Sequence, residues 1–183
     1  SAEAAAALLT SSMKELEGMQ KTRVISVEGA ERPLFTRVRF FDAQDAMLAE
    51  YPAKSEAGMD AAGCTQVLKS CRELAPGDVF NSGVVVSGKG EPELVLAAPI
   101  HLDGQYQGAL VLDMDWSIMW GLLKPRVYGK TGYAFIINDK GIAVSHPKYK
   151  LTDNTNLTDP KYGQLAELVN TKMLKGEQGA ASY

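Results

Sequence analysis

Between Val79 and Met114 the chain lays down three apolar, β-branched runs separated only by short glycine turns, and this spacing points to an antiparallel sheet. The runs are Val79 to Ser87, Leu94 to Leu102 and Tyr106 to Met114. Ser87-Gly-Lys-Gly90 and Asp103-Gly104 lie between them. The second turn is the stronger hairpin signal, because Asp-Gly suits a two-residue type I′ turn with positive φ at both central positions.

The flanking segments extend this pattern. Phe35-Thr-Arg-Val-Arg-Phe-Phe41 alternates and is rich in aromatic and β-branched residues, which predicts a strand. Asp42-Ala-Gln-Asp45 turns it into a return strand, Met47 to Tyr51, ended by Pro52. Thr65 to Leu74 reads as a short helix stopped by Pro76-Gly77, and Trp116 to Leu123 as a short apolar helix. At the start, Ala2 to Val27 reads as a helix. Leu8 or Leu9, Met13, Leu16, Gln20, Val24 and Val27 fall three or four apart on one face. After Leu123 a second hairpin is expected, with Tyr133 to Ile137 and Ile142 to His146 joined at Asn138-Asp-Lys-Gly141. Tyr162 to Leu174 follows as a helix with Leu165, Leu168, Val169 and Met173 on one face. Helices set apart from hairpin-linked strands make the class α+β.

Composition removes several functions. The 183 residues carry 19 Lys+Arg against 22 Asp+Glu, a formal charge of −3, so no basic excess drives nucleic-acid binding. No run approaches 18 apolar residues, and no apolar stretch follows a basic start as in a signal peptide.

Gly129-Lys-Thr-Gly-Tyr-Ala-Phe-Ile-Ile-Asn-Asp-Lys-Gly141, followed by Ser145-His-Pro147, resembles the signature of Cache sensor domains. The stretch Ala98-Pro-Ile100, Gly104 and Gly108-Ala-Leu-Val-Leu-Asp113 is similar to the end of a first, membrane-distal Cache module. The order of distal ending, short helix and second hairpin is that of a double Cache domain. The resemblance covers about Val79 to Lys175.

It implies a long N-terminal helix over 1–30, a distal PAS-like module over 31–123 and a membrane-proximal module over 124–183. The last of these is expected to be incomplete, since the chain stops at Gly179-Ala-Ala-Ser-Tyr183. It also implies the extracytoplasmic, periplasmic sensing part of an inner-membrane receptor. Such receptors include chemoreceptors, sensor histidine kinases and cyclic-dinucleotide enzymes. A small-molecule ligand would sit in the distal module, a homodimer would form through the N-terminal helix, and no cofactor is needed. The Arg-to-Trp arrangement of the amino-acid-binding branch is absent, because Trp116 and Trp120 both follow the sheet.

Asp113 is the first candidate for ligand contact. It stands five residues after Gly108 at the end of an apolar strand, where the family's ligand-binding Asp falls. A carboxylate there needs a ligand amine or a protein Arg as partner. The competing reading is that Asp113 or Asp115 caps the helix at Trp116. Asp113→Ala is expected to abolish binding while leaving melting nearly unchanged. Arg37 and Arg39 share one face of the first strand and, with Tyr51, Arg72 and Tyr106, suit an anionic ligand. Their competing reading is a solvated face, with Arg39 paired to Asp42 or Glu50. Ser82 and His101 complete the candidates.

No enzyme motif survives inspection. His146 has no second His, Cys or Glu at ligand spacing, so neither a metal nor a catalytic role is expected, and its imidazole is read as locally hydrogen-bonded. No Gly-x-Ser-x-Gly elbow frames a nucleophile. Gly129 to Gly132 leads into a strand rather than a helix, which excludes a phosphate loop. Cys64 and Cys71 on one helix would lie about 10 Å apart, beyond the ~7 Å that a disulfide spans, while a helix starting after Cys64 would permit a bridge.

Overall fold

The computed structural model describes residues 24–27, 29–51, 61–87, 90–126, 129–130 and 132–180, with positions 11, 14 and 18 nearer the N-terminus. Those three positions are helical, and the rest of the helix expected before residue 24 lies outside the described residues. The end of that expectation is corrected. Val24–Val27 is a strand, β1, paired antiparallel with β2, Ala30–Pro33, in the register Val24↔Pro33 to Val27↔Ala30. Three β-branched residues in four favour extended backbone over a helix. Gly29, at φ 82°, makes the turn.

The chain divides into two units, Ser1–Ile118 and Met119–Tyr183. The first is built on β3 (Arg37–Asp42), β4 (Met47–Tyr51), α1 (Ala61–Arg72), β5 (Phe80–Val86), β6 (Pro92–Leu102) and β7 (Gln105–Asp115). The five strands form one antiparallel sheet in the order β4-β3-β7-β6-β5. Counted from β3 in chain order, this is 2-1-5-4-3, so the first and last strands lie side by side at the centre.

The turns explain themselves chemically. Asp42 Oδ1 accepts from the amides of Gln44 (2.9 Å) and Ala46 (2.8 Å) and folds β3 back onto β4. Asp103 (φ 51°) and Gly104 (φ 77°) both take positive φ, as a type I′ hairpin requires. On β5 a bulge falls between Asn81 and Val84. There Ser82 Oγ accepts from the Val95 amide at 2.9 Å and donates to the Gly83 carbonyl at 2.6 Å.

Helix α1 covers one face of the sheet. Cys64, Val67, Leu68 and Cys71 recur at three and four residues and pack against Phe41, Val95, Ala97, Ala109 and Val111, with Phe80 at the margin. Gly108 makes the central pairing possible. A Cβ there would run into the Phe41 carbonyl oxygen across β3, and its φ of 148° is itself unfavourable for other residues.

Beyond β7, Asp115 Oδ1 accepts from the Ser117 amide at 2.8 Å, at the start of α2 (Ser117–Leu123). The second unit carries a short hairpin of β8 (Ile136–Ile137) and β9 (Ala143–Ser145), shorter than the expected runs. Asn138 Oδ1 closes it by accepting from the Lys140 (3.0 Å) and Ile142 (2.9 Å) amides. Its core joins Ala143, Leu157 and Val169, and α3 (Gln164–Thr171) supplies the last of these. No helix among the described residues is long and apolar enough to cross a membrane.

Candidate functional site

Strand alternation places Arg37, Arg39 and Phe41 on the α1 side of β3, while Val38 and Phe40 fill the other side. The same face of β7 carries Ala109, Val111 and Asp113, and that of β6 carries Glu93, Val95 and Ala97. The row is therefore apolar under α1 and becomes charged towards the Asp113 end.

There the charges meet at close range. Arg39 is 3% exposed and Asp113 is 0% exposed, and Arg39 Nη2 lies 2.5 Å from Asp113 Oδ1. The other terminal nitrogen, Nη1, donates to Cys64 Sγ on α1 at 3.0 Å. Arg37 Nε lies 2.8 Å from Glu50 Oε1 and 4.0 Å from Asp113 Oδ2. Glu50 comes from β4, opposite Arg39. The Asp113 carbonyl accepts from the Thr36 amide (2.8 Å) and hydroxyl (3.1 Å), which fixes the strand end. Glu93 is 6% exposed on this face, and among the described residues neither its Oε2 nor Asp113 Oδ2 has a hydrogen-bond partner.

Burial dominates the acid–base balance. It pushes the Asp113 carboxyl above its ordinary range, and the guanidinium groups of Arg39 and Arg37 pull it back only in part. Glu93 is raised by burial first and by the Asp113 carboxylate second, with Arg39 and Arg37 opposing. The Cys64 thiol is also raised by burial. The cluster thus holds both signs of charge on a face screened from water.

The structure divides the residues singled out from the sequence. It brings Asp113, Arg37 and Arg39 together. It separates Tyr51, which pairs with Val38 and so belongs to the opposite side of the sheet. Arg72, Tyr106 and His101 form a second group near the Asp103-Gly104 turn. Arg72 Nη2 donates to Asp45 Oδ1 (2.7 Å) and to the Ala43 carbonyl (3.1 Å), and its guanidinium lies 5.1 Å from the Tyr106 ring centre. Tyr106 meets His101 edge-on at 6.0 Å. Tyr106 and Asp113 are seven residues apart on one strand, roughly 24 Å at ~3.4 Å per residue. One constellation for an anionic ligand is therefore corrected to two groups at opposite ends of β7. Ser82 is occupied by the β5 bulge.

Other readings are also settled by geometry. The helix cap is Asp115, not Asp113. Arg39 pairs with Asp113 rather than with Asp42 or Glu50. The expectation that Asp113→Ala leaves melting unchanged is corrected, since that change would strand a buried guanidinium. Cys64 and Cys71 are free and buried. In the second unit His146 Nδ1 accepts from the Lys148 amide at 3.0 Å, and its ring lies 4.5 Å from that of Tyr149. Among the described residues no group of His, Cys, Asp or Glu is arranged to hold a metal. Sequence reasoning missed Glu93 and Cys64 as members of the cluster. The available signal was Glu93-x-Val95-x-Ala97, an acid in the inward phase of a strand.

No protein-family profile matches the chain, and no curated protein sequence matches it. Solved structures do. The ligand-binding domain of the Pseudomonas aeruginosa amino-acid chemoreceptor PctC, in complex with GABA, superposes with a TM-score of 0.53 at 20% identity over 70% of this chain and 56% of that one. The ligand-binding domain of Mlp24 with asparagine gives 0.51 at 15% identity, covering 70% and 52%. A domain of a sensory box/GGDEF family protein from Vibrio parahaemolyticus gives 0.55 at 17% identity, covering 82% and 62%. The chain thus spans between 52% and 62% of the length of these structures. It has the fold of Cache-type sensor domains, like the ligand-binding domains of those chemoreceptors.

Proposed function

We propose that the chain is the extracytoplasmic ligand-sensing domain of a membrane-tethered signalling receptor of the chemotaxis or two-component type, without catalytic activity of its own. The observation that carries this reading is the shielded Arg39–Asp113 pair, with Glu93 beside it, on the inner face of a sheet shared with chemoreceptor ligand-binding domains. A small polar or charged molecule is bound there, in the unit Ser1–Ile118. The known ligands of the neighbours, GABA and asparagine, are of that kind. Binding need only favour one arrangement of sheet and helix over another to send a signal.

A thermal-shift screen across amino acids, carboxylates, amines and purines tests the reading. A ligand at 100 times its Kd adds ~2.7 kcal/mol, which is roughly 5–10 °C in a chain of this size. A shift with one chemical class supports sensing. A flat response, together with melting that depends on protein concentration, would replace it with a ligand-free dimerisation role.

A further inference from the structure

The chain-wide charge of −3 conceals a partition. The unit Met119–Tyr183 carries nine Lys and Arg against five Asp and Glu, a formal +4, whereas Ser1–Ile118 carries ten against seventeen, a formal −7. All nine cationic side chains of the second unit are exposed. In the first unit, by contrast, Arg37 and Arg39 are taken up by carboxylates of the sheet. Positive charge in the second unit is thus a property of its surface, and charge segregated in this way suits an acidic partner.

Part of that surface is built on rings. Lys148 Nζ lies 5.3 Å from the centre of the Tyr133 ring, and Lys161 Nζ lies 5.1 Å from that of Tyr162. These two tyrosines are the ends of one continuous run. Tyr133 meets His146 at 5.3 Å, His146 meets Tyr149 at 4.5 Å, and Tyr149 meets Tyr162 at 6.2 Å. Lys150 follows Tyr149 directly and is exposed, as is Tyr133. Three ammonium groups are therefore spread along one aromatic strip. Asp159 pairs with Lys161 at 3.1 Å and Asp153 Oδ2 accepts from the Lys150 amide at 2.9 Å, while Lys148 rests on a ring.

We propose that this strip, Lys148, Lys150 and Lys161 along Tyr133, Tyr149 and Tyr162, is a docking surface for an anionic phospholipid bilayer. The inference rests on the membrane tether in the reading above and adds a second contact with the same membrane. Phosphate headgroups match exposed ammonium groups, and flexible lysine stems reach a charged plane without a shaped pocket. Tyrosine suits the same boundary, since its ring is apolar and its hydroxyl seeks water. A nucleic acid is the weaker fit. The chain as a whole repels a polyanion free in solution, whereas a tether supplies the bilayer at high effective concentration.

The test is sedimentation of the full chain with two kinds of vesicle, phosphatidylcholine alone and equal parts of phosphatidylcholine and phosphatidylglycerol. Binding is expected to the anionic vesicles only. It should fade between about 0.01 and about 0.15 M salt, where the screening length shrinks from ~30 to ~8 Å. Lys148→Glu, Lys150→Glu and Lys161→Glu together are expected to weaken it about 10-fold or more. Melting of that variant checks its fold. Lys69→Glu, an exposed lysine of α1 in the first unit, should leave binding unchanged. A chain that ignores both vesicles would overturn the docking surface, as would equal binding to both or an equal loss in Lys69→Glu. So would sedimentation without vesicles, the mark of a second copy as partner, or a preference for duplex DNA. None of these outcomes touches ligand sensing, which the thermal-shift screen decides separately.

Discussion

Arg39 Nη2 on β3 and Asp113 Oδ1 on β7 stand 2.5 Å apart, and both residues are closed off from solvent. The pair joins two strands that lie far apart in the sequence but side by side at the centre of the sheet. A buried pair of this kind contributes little beyond a well-packed apolar substitute, yet breaking one side is expensive.

Asp113→Ala is accordingly expected to cost about 3–5 kcal/mol, on the order of 10 °C in melting temperature. Replacing both partners together, Arg39→Met with Asp113→Leu, should recover most of that loss. Thermal melts of the single and double variants check the pair. A single variant melting with wild type would remove the buried charge from the account.

Glu93→Gln should stabilise the ligand-free chain at neutral pH. The folded state holds the Glu93 proton more tightly than the unfolded chain does. Between the ordinary Glu value of about 4.3 and the raised folded value, the folded state therefore carries more protons, and stability falls as pH rises. The glutamine variant lacks this slope. Denaturant melts at several pH values should show the gap between the two proteins closing as the pH drops from the raised folded value towards the ordinary glutamate value.

Gly108→Ala should destabilise by on the order of 2–4 kcal/mol, because the new methyl group and the carbonyl of Phe41 claim one space. Chemical denaturation measures it. The same substitution at Gly18, where an added Cβ meets no atom of the described residues within 4 Å, serves as the control.

Both cysteines are expected to label fully in denaturant without reductant, and slowly in the folded chain. Neither is bridged, and burial raises both thiols, which lowers the thiolate fraction. A mass consistent with one disulfide would contradict the structure.

His146 should titrate below its ordinary value of 6.5, since burial and the neighbouring Lys148 both disfavour the imidazolium. The sign follows. The folded state binds this proton less readily than the unfolded chain, so stability from His146 is present above pH ~6.5 and is lost as the pH falls below it. Its C–H resonances in an NMR titration report the value directly.

Local chemistry made much of the sheet legible in advance. Asp103-Gly104 can hardly do anything but turn a hairpin, and β6 and β7 follow from it. Val24 to Val27 misled because apolar residues three apart suit a helix face as well as a strand, and only pairing with Ala30–Pro33 decides. The site was harder, because its geometry depends on non-local register. That β3 lies against β7 brings Arg39 to Asp113, and no local signal announces it. The register of Val38 with Tyr51 turns that tyrosine away, and the length of β7 carries Tyr106 out of reach.

Arg39 divides its two terminal nitrogens unequally, one on a carboxylate of the sheet and one on a thiol of the covering helix. Sulfur is the weaker acceptor, so the stronger bond sets where the guanidinium rests. Anything that competes for the Asp113 carboxylate loosens the stronger anchor and leaves the guanidinium hanging from the helix alone. Occupancy of the strand end would then be felt first as slack between helix and sheet, and the amides of Val67 and Leu68 are where that slack would be read, as faster hydrogen exchange.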